Sequence, residues 1–289
     1  MSSYDVELEV IGAPIAHSLS PVMQEAALAE LAQREPRFAR WRYRAVAVEP
    51  RDLARYVERA RNRPSLRGFN VTVPHKVAIT SMLDRLEPSA LAVGAVNTVC
   101  REGDLLVGLN TDVEGFARSA EEAGFALDVD ALVLGAGGAA RAVVSALASR
   151  GAHTIAVAAR RPETAEALAA LAKDTPFSIH RLELETLGAI APSLVIQASS
   201  ASLDPHAARA LAACIPWSSW PDARFIELVY RPIDTALTSE ARARHRDVLG
   251  GTAMLVHQGA LAFERWTGHA ADLPRMRQAL ESALKNPEE

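Results

Sequence analysis

The period of the apolar positions changes along the chain, and each change marks an element. Val6 to Gly12 is an apolar run of strand length, Pro14 to Pro21 interrupts it, and Val22 to Ala32 carries apolar residues at helical spacing. The same order returns at Tyr43 to Val48 with a helix over Arg51 to Arg61, and at Gly68 to Val73 with a helix over Lys76 to Leu86. Strands alternating with helices predict a parallel sheet, because each parallel pair needs a crossover that the helix supplies. Val96 to Cys100 and Leu105 to Gly108, joined through Arg101 to Asp104 with a Gly in the turn, predict an antiparallel hairpin instead.

From Ala131 the alternation restarts. Strands are expected at Ala131 to Leu134, Thr154 to Ala158, Leu194 to Gln197 and Phe225 to Val229, with helices at Gly138 to Ser149 and Glu163 to Lys173. A long helix over Thr252 to Trp266 ends at Gly268. The chain has 289 residues, more than one core usually supports, so two α/β domains are expected. The boundaries predicted are 1–111, completed by helices in 250–289, and 112–249.

Composition narrows the class. Hydrophobic residues make up 49% and aromatics only 5%, which suits an aliphatic α/β interior. The formal net charge is -4 and the arginines are scattered along helices, so no affinity for nucleic acid is expected. An anionic ligand must then find a local cationic pocket. The two cysteines, Cys100 and Cys214, form neither a disulfide framework nor a zinc pattern, and no metal is expected. No apolar run reaches the roughly 18 residues of a membrane span, and the cytoplasm follows as the default.

Gly135-Ala136-Gly137-Gly138-Ala139-Ala140 follows an apolar strand and opens an apolar helix. In that context it is a dinucleotide fingerprint: Gly135 for the tight turn, Gly137 for close approach to a pyrophosphate, Ala140 for helix packing, and N–H groups of the helix start for the anion. After the next strand the sequence is Ala158-Ala159-Arg160-Arg161-Pro162, without the carboxylate that holds the ribose hydroxyls of NAD. Guanidinium groups match a 2′-phosphate, so Arg160 and Arg161 point to NADP.

In the first domain, Ser18 and Ser20 stand two residues apart beside Pro21. Ser20 is expected to cap the helix that follows, which leaves the Ser18 hydroxyl for a ligand carboxylate. In Phe69-Asn70-Val71-Thr72-Val73-Pro74-His75-Lys76, alternation puts Asn70 and Thr72 on one face and Val71 and Val73 on the other. Pro74 is expected to start a helix with Lys76 in its first turn, where the macrodipole disfavours a cation, which hints at a functional lysine. Asn97 and Asp112 have plain structural explanations when taken singly, since Thr111 and Glu114 form a capping-box pattern that leaves Asp112 well placed for the dipole. The histidines His17, His75 and His257 lack metal-ligand spacing and read as hydrogen-bonded structural residues.

Taken together, the His17-Ser18-Leu19-Ser20-Pro21 loop, Asn70 to Lys76, Gly94-Ala95-Val96-Asn97-Thr98, Asn110 to Phe116, the glycine loop and the helix from Met254 to Gly268 resemble the shikimate dehydrogenase family, including its quinate/shikimate members. The resemblance spans nearly the whole chain. It implies an N-terminal α/β substrate domain with a mostly parallel sheet, a Rossmann-type NADP-binding domain, and an active-site cleft between them. It implies Lys76 and Asp112 as the catalytic pair, and Ser18, Ser20, Asn70, Thr72, Lys76, Asn97, Asp112, Tyr230 and Gln258 as contacts to shikimate. Ser199 and Gly251 join the glycine loop and the two arginines in the implied cofactor set.

The implied activity is reversible NADPH-dependent reduction of 3-dehydroshikimate to shikimate, within chorismate and aromatic amino acid biosynthesis, by a monomer or homodimer acting on small molecules. Rivals are a quinate/shikimate enzyme using NAD or NADP, and an idle NADP-binding regulator of the same fold. The departures from the family pattern are Gln24-Glu25 where His-Asn is frequent, Gln197 and Ser199 in the usual INAT segment, Ala159 and Arg161 in the usual NRT, and Ala253 before Met254 where glycine is frequent.

Overall fold

A computed structural model describes residues 5–285. The chain divides into two compact units, one running through Thr111 and resuming from Val256, the other Asp112–Leu255.

In the first unit β1 (Val6–Gly12) leads to α1 (Ser20–Arg34), β2 (Trp41–Ala47), α2 (Leu53–Arg61) and β3 (Leu66–Val71). Then come β4 (Arg85–Leu86), α3 (Pro88–Val93), β5 (Thr98–Glu102) and β6 (Leu105–Leu109). The sheet order is β2-β1-β3-β5-β6-β4. β1 pairs in parallel with β2 and β3, while β5 is antiparallel to both β3 and β6, the hairpin expected from the pattern. Phe69 and Val71 of β3 join Leu53, Tyr56 and Val57 in a core on one face, as alternation requires. Glu9, fully buried on β1, is compensated by ion pairs to Arg44 and Arg63 and a hydrogen bond from Tyr56 at 2.5 Å.

In this first unit one expected helix is missing. The segment from Val73 to Val77 is a turn, and only a 3₁₀ stretch, Ala78–Met82, follows it before β4. No α-helix covers Lys76 to Leu86. The chain there is committed to long-range partners, with the Val96 N–H donating to the Lys76 carbonyl and the Asp84 N–H to the Leu106 carbonyl. The strand also stops two residues early, at Val71.

The second unit runs α4 (Asp112–Glu122), β7 (Asp130–Leu134), α5 (Gly138–Ser149), β8 (Thr154–Ala159), α6 (Glu166–Ala169), β9 (Phe177–Arg181), α7 (Leu184–Leu187) and β10 (Leu194–Gln197). It continues with α8 (Pro205–Ala213), β11 (Arg224–Glu227), α9 (Ala236–Ala243) and β12 (Val248–Leu249). The sheet is wholly parallel in the order β12-β11-β10-β7-β8-β9. Counted within the unit this is 6-5-4-1-2-3, the doubly wound dinucleotide order, reversing direction between β7 and β10. Val133, Ile155 and Ile196 face a core with Phe116 of α4 and Val143 of α5. Leu132, Leu134 and Val195 face a second core with Leu211 of α8 and Leu237 of α9. Strands covered on both faces read as continuous apolar runs, which is why β7, β8 and β10 were legible.

Two edge strands, β9 and β12, carry no such signal, and the helix expected over Glu163 to Lys173 contracts to a 3₁₀ turn, Pro162–Ala165, and the four residues of α6. α10 (Thr252–Thr267) and α11 (Leu273–Lys285) complete the chain. α11 packs on α1. No described helix is long and apolar enough to cross a membrane.

Candidate active site

In the first unit, polar side chains converge on one face of the sheet. Asn70, nearly buried on β3, accepts a hydrogen bond from Tyr43 Oη at 2.7 Å, and its Nδ2 donates to the Asn97 carbonyl at 3.1 Å and Thr98 Oγ1 at 3.0 Å. Both amide protons are thereby spent, so toward a ligand Asn70 offers only the second lone pair of Oδ1. Asn97 sits beside it. Its Oδ1 accepts from the Thr111 N–H at 2.8 Å, and its Nδ2 donates to Thr111 Oγ1 at 2.8 Å and Gln258 Oε1 at 3.3 Å. Gln258, on α10, is thus joined to the sheet end that carries Asn97.

Three hydroxyls stand on the adjoining segments, Ser18 and Ser20 after β1 and Thr72 after β3. The β1–α1 loop runs beside the exit of β3, since the Ala13 N–H donates to the Val73 carbonyl and the Thr72 N–H to the Ile11 carbonyl. Ser20 is not the N-cap. It occupies the first helical position behind Leu19, and no side chain caps the helix. The loop turns into the helix one residue earlier than the Ser-Pro pattern suggested, so Ser20 keeps its hydroxyl. Among the described residues, the hydroxyl protons of Ser18, Ser20 and Thr72 meet no acceptor, which suits them to donate to a bound carboxylate or hydroxyl.

Lys76 follows on the turn after β3, half-buried. No helix dipole acts on it, since no α-helix begins there. What holds the lysine is the turn itself: His75, almost fully buried, donates from Nε2 to the Val48 carbonyl at 2.7 Å, and its own carbonyl accepts from the Ile79 N–H. Asp112 begins α4 and is buried, with the preceding Thr111 tied to Asn97. Glu114 commits both carboxylate oxygens to Arg118 and Arg150, which hold its carboxyl below the usual range against the opposing cost of burial. Cys100 carries no chemistry here. Burial pushes its thiol up to about 12.

In the second unit, the glycine loop leaves β7 at the reversal of strand order. Gly135 has φ +114°, and a Cβ there would come within 2.8 Å of Ser199 Cβ, so Gly135 and Ser199 stand against each other after β7 and β10. Gly137 is the N-cap of α5 with no side-chain cap, and a Cβ on it would meet nothing within 4 Å. Open space against uncapped N–H groups is the cradle that a pyrophosphate needs. Arg160 and Arg161 are exposed just past β8, with no carboxylate between them and the strand. Gly251, buried, precedes α10. Tyr230 lies three residues beyond β11, half-buried, rather than on a strand end. The glycine cradle, with the two exposed arginines past β8, fits NADP.

Sequence reasoning passed over Tyr43, Thr98, Arg141 and Glu227. Tyr43 is the only buried position of β2, an inward aromatic whose hydroxyl needed a partner. Arg141 lies in the first turn of α5, where burial lowers its guanidinium below the ordinary value, a cation placed where the dipole favours an anion.

Comparison with known proteins gives one consistent match. The descriptions matched are "Shikimate dehydrogenase substrate binding domain" over residues 10–99, "Shikimate / quinate 5-dehydrogenase" over 119–213 and "Shikimate 5'-dehydrogenase C-terminal domain" over 251–281. A shikimate dehydrogenase (NADP(+)) of Geobacter metallireducens is 43% identical over 286 residues, 96% of each chain. That of Bacillus licheniformis is 39% identical, covering 95% of this chain and 96% of its own. The crystal structure of shikimate 5-dehydrogenase from Thermus thermophilus in complex with NADP(H) and shikimate superposes with a TM-score of 0.82 at 36% identity, over 96% of this chain and all (100%) of that one.

Proposed function

Because the chain belongs to the shikimate dehydrogenase family, we propose that it interconverts 3-dehydroshikimate and shikimate with NADPH and NADP, acting as an oxidoreductase on a ring alcohol. The reading is carried by one observation: two fixed asparagines stand beside a loop and strand exit bearing three donor hydroxyls and leading to an anchored lysine, in a chain that also opens a glycine cradle fit for a pyrophosphate. The glycine loop would hold the pyrophosphate of NADPH and Arg160 and Arg161 its 2′-phosphate, and the bound cofactor would supply hydride chemistry.

The remaining work falls to side chains. Ser18 and Ser20 donate to the substrate carboxylate, Asn70 accepts from a ring hydroxyl, and Thr72, Asn97, Tyr230 and Gln258 complete the polyol contacts. As the ketone is reduced its oxygen gains charge. Lys76 Nζ donates to that oxygen and delivers the proton, and Asp112 orients the ammonium and keeps it charged. A cation aimed where charge develops stabilises the transition state more than the neutral ketone. His75 does none of this directly; it fixes the turn that presents Lys76. The setting is the cytoplasm, with two small-molecule ligands, neither nucleic acid nor membrane, and a monomer or homodimer.

The test is steady-state oxidation of shikimate and quinate, each with NADP and NAD, followed by the absorbance of the reduced nicotinamide. Shikimate with NADP should give the highest kcat/KM. Preference for quinate with NAD would favour the quinate reading, and tight NADP binding without turnover would favour the idle regulator.

A further inference from the structure

Glu227 ends β11 with its side chain fully buried, and the chemistry above makes no use of it. Its Oε1 accepts from the Val229 N–H at 3.0 Å. Its Oε2 accepts from Ser202 Oγ at 2.7 Å and Thr235 Oγ1 at 3.1 Å. These donors come from three segments beyond the C-terminal edge of the sheet: the 3₁₀ turn Ser200–Leu203, the stretch adjoining Tyr230, and the N-cap of α9.

The chain of hydrogen bonds continues past Ser202. Gln197 donates from Nε2 to Ser202 Oγ at 3.1 Å, while its Oε1 accepts from the Ser199 N–H and Ser199 Oγ, both at 3.1 Å. Every link runs the same way, from the Ser199 hydroxyl through the Gln197 amide and the Ser202 hydroxyl into the carboxylate. At the other end Thr235 closes a capping box with Thr238, so the stretch from Val229 to Thr235 is held at both ends. One buried acceptor thereby sets the position of Ser199, beside the glycine loop, and of the segment bearing Tyr230.

We propose that Glu227 is a positioning residue, whose carboxylate locks the Ser199 turn and the Tyr230 segment in a single arrangement so that cofactor and substrate contacts are made together. This rests on the roles given above to Ser199 and Tyr230. A glutamine would replace it imperfectly. Oε1 faces the backbone N–H of Val229, which can only donate, so an amide nitrogen there would set donor against donor; at Oε2 it would force the Ser202 and Thr235 hydroxyls to turn from donors into acceptors and break the one-way chain from Ser199. The carboxyl is itself balanced. Burial pushes it up to about 7 while those hydrogen bonds pull the other way, so the lock loosens on protonation within the ordinary working range.

The test uses the full chain carrying Glu227→Gln, with kcat, KM for NADP and KM for shikimate measured alongside the melting temperature and a pH profile. A misplacement of about 1 Å can cost roughly 100-fold, so both KM values should rise about tenfold or more together, and a limb near pH 7 in the parent's kcat/KM should vanish. A purely structural role would lower the melting temperature and leave both KM values parental; that result in a folded variant overturns the proposal. Should Glu227→Gln fail to fold, Ser202→Ala and Thr235→Val each remove one donor, and parental KM values in both would equally overturn it. Ser199→Ala and Tyr230→Phe run in parallel: unchanged KM values there sink the site reading and the proposal with it. Raised KM values there beside a parental Glu227→Gln sink this proposal alone.

Discussion

Tyr43 Oη reaches across β1, which lies between their two strands, to donate a 2.7 Å hydrogen bond to Asn70 Oδ1. With Thr98 and the Asn97 carbonyl taking both protons of the Asn70 amide, this bond leaves one lone pair of Asn70 for a ligand. Tyr43→Phe would leave a buried acceptor short of a partner, at a cost of about 1–3 kcal/mol. The expected outcome is a several-fold rise in KM for shikimate with KM for NADP unchanged, read by steady-state kinetics; equal rises for both ligands would instead mean a general loss of structure.

Lys76→Ala should lower kcat by about 100-fold or more, since it removes the group that meets charge on the reacting oxygen. Far-UV circular dichroism should not change, because His75 and the Val96 N–H hold the turn through other atoms. A kcat within a fewfold of the parent would remove Lys76 from the mechanism.

Arg160→Ala should cut the preference for NADP over NAD by about tenfold or more, because a charge-assisted hydrogen bond to a phosphate contributes about 1.5–3 kcal/mol. The quantity to measure is the ratio of kcat/KM for the two cofactors. An unchanged ratio in the Arg160→Ala, Arg161→Ala double variant would mean that discrimination lies elsewhere.

Gly68→Ala tests how α10 is tied to the first sheet. A Cβ at residue 68 would lie 2.2 Å from Trp266 Nε1 and 2.4 Å from the Val99 carbonyl oxygen, the two atoms that share a 3.0 Å hydrogen bond across 167 residues. Overpacking against backbone and a buried indole should cost about 1–3 kcal/mol or more, seen as a lower denaturation midpoint. A variant as stable as the parent would mean that this contact yields without cost.

The pH dependence of stability isolates Glu227. Its carboxyl rises from 4.5 to about 7 on folding, so between those values the folded chain holds a proton that the unfolded chain has released. Stability from this group therefore falls as pH rises through that window and levels off above it. Glu227→Gln cannot titrate, and should gain on the parent by up to about 1.4 kcal/mol per pH unit across the window, measured by urea denaturation. A difference independent of pH would mean that Glu227 does not titrate there.

What could be read from the residues in order was what local geometry controls. Buried parallel strands betray themselves by continuous apolar runs, so β7, β8 and β10 were plain, and the glycine turn at Gly135 was legible because it is defined by its immediate neighbours. The half-buried strand β9 and the two-residue β12 have no such pattern, and neither could be found.

Distance along the chain decided the rest. At Lys76 the helix expected after Pro74 does not form, because the lysine carbonyl is claimed by Val96, twenty residues on, which outweighs the local preference. Asn70 was visible as a polar residue in a strand, yet which of its atoms remain for a ligand depends on Tyr43 and Thr98, separated from it by 27 and 28 residues. Glu227 was invisible for the same reason: a glutamate closing a strand is an ordinary residue until tertiary folding brings three loops of donors onto it and takes away the water that would otherwise solvate its charge.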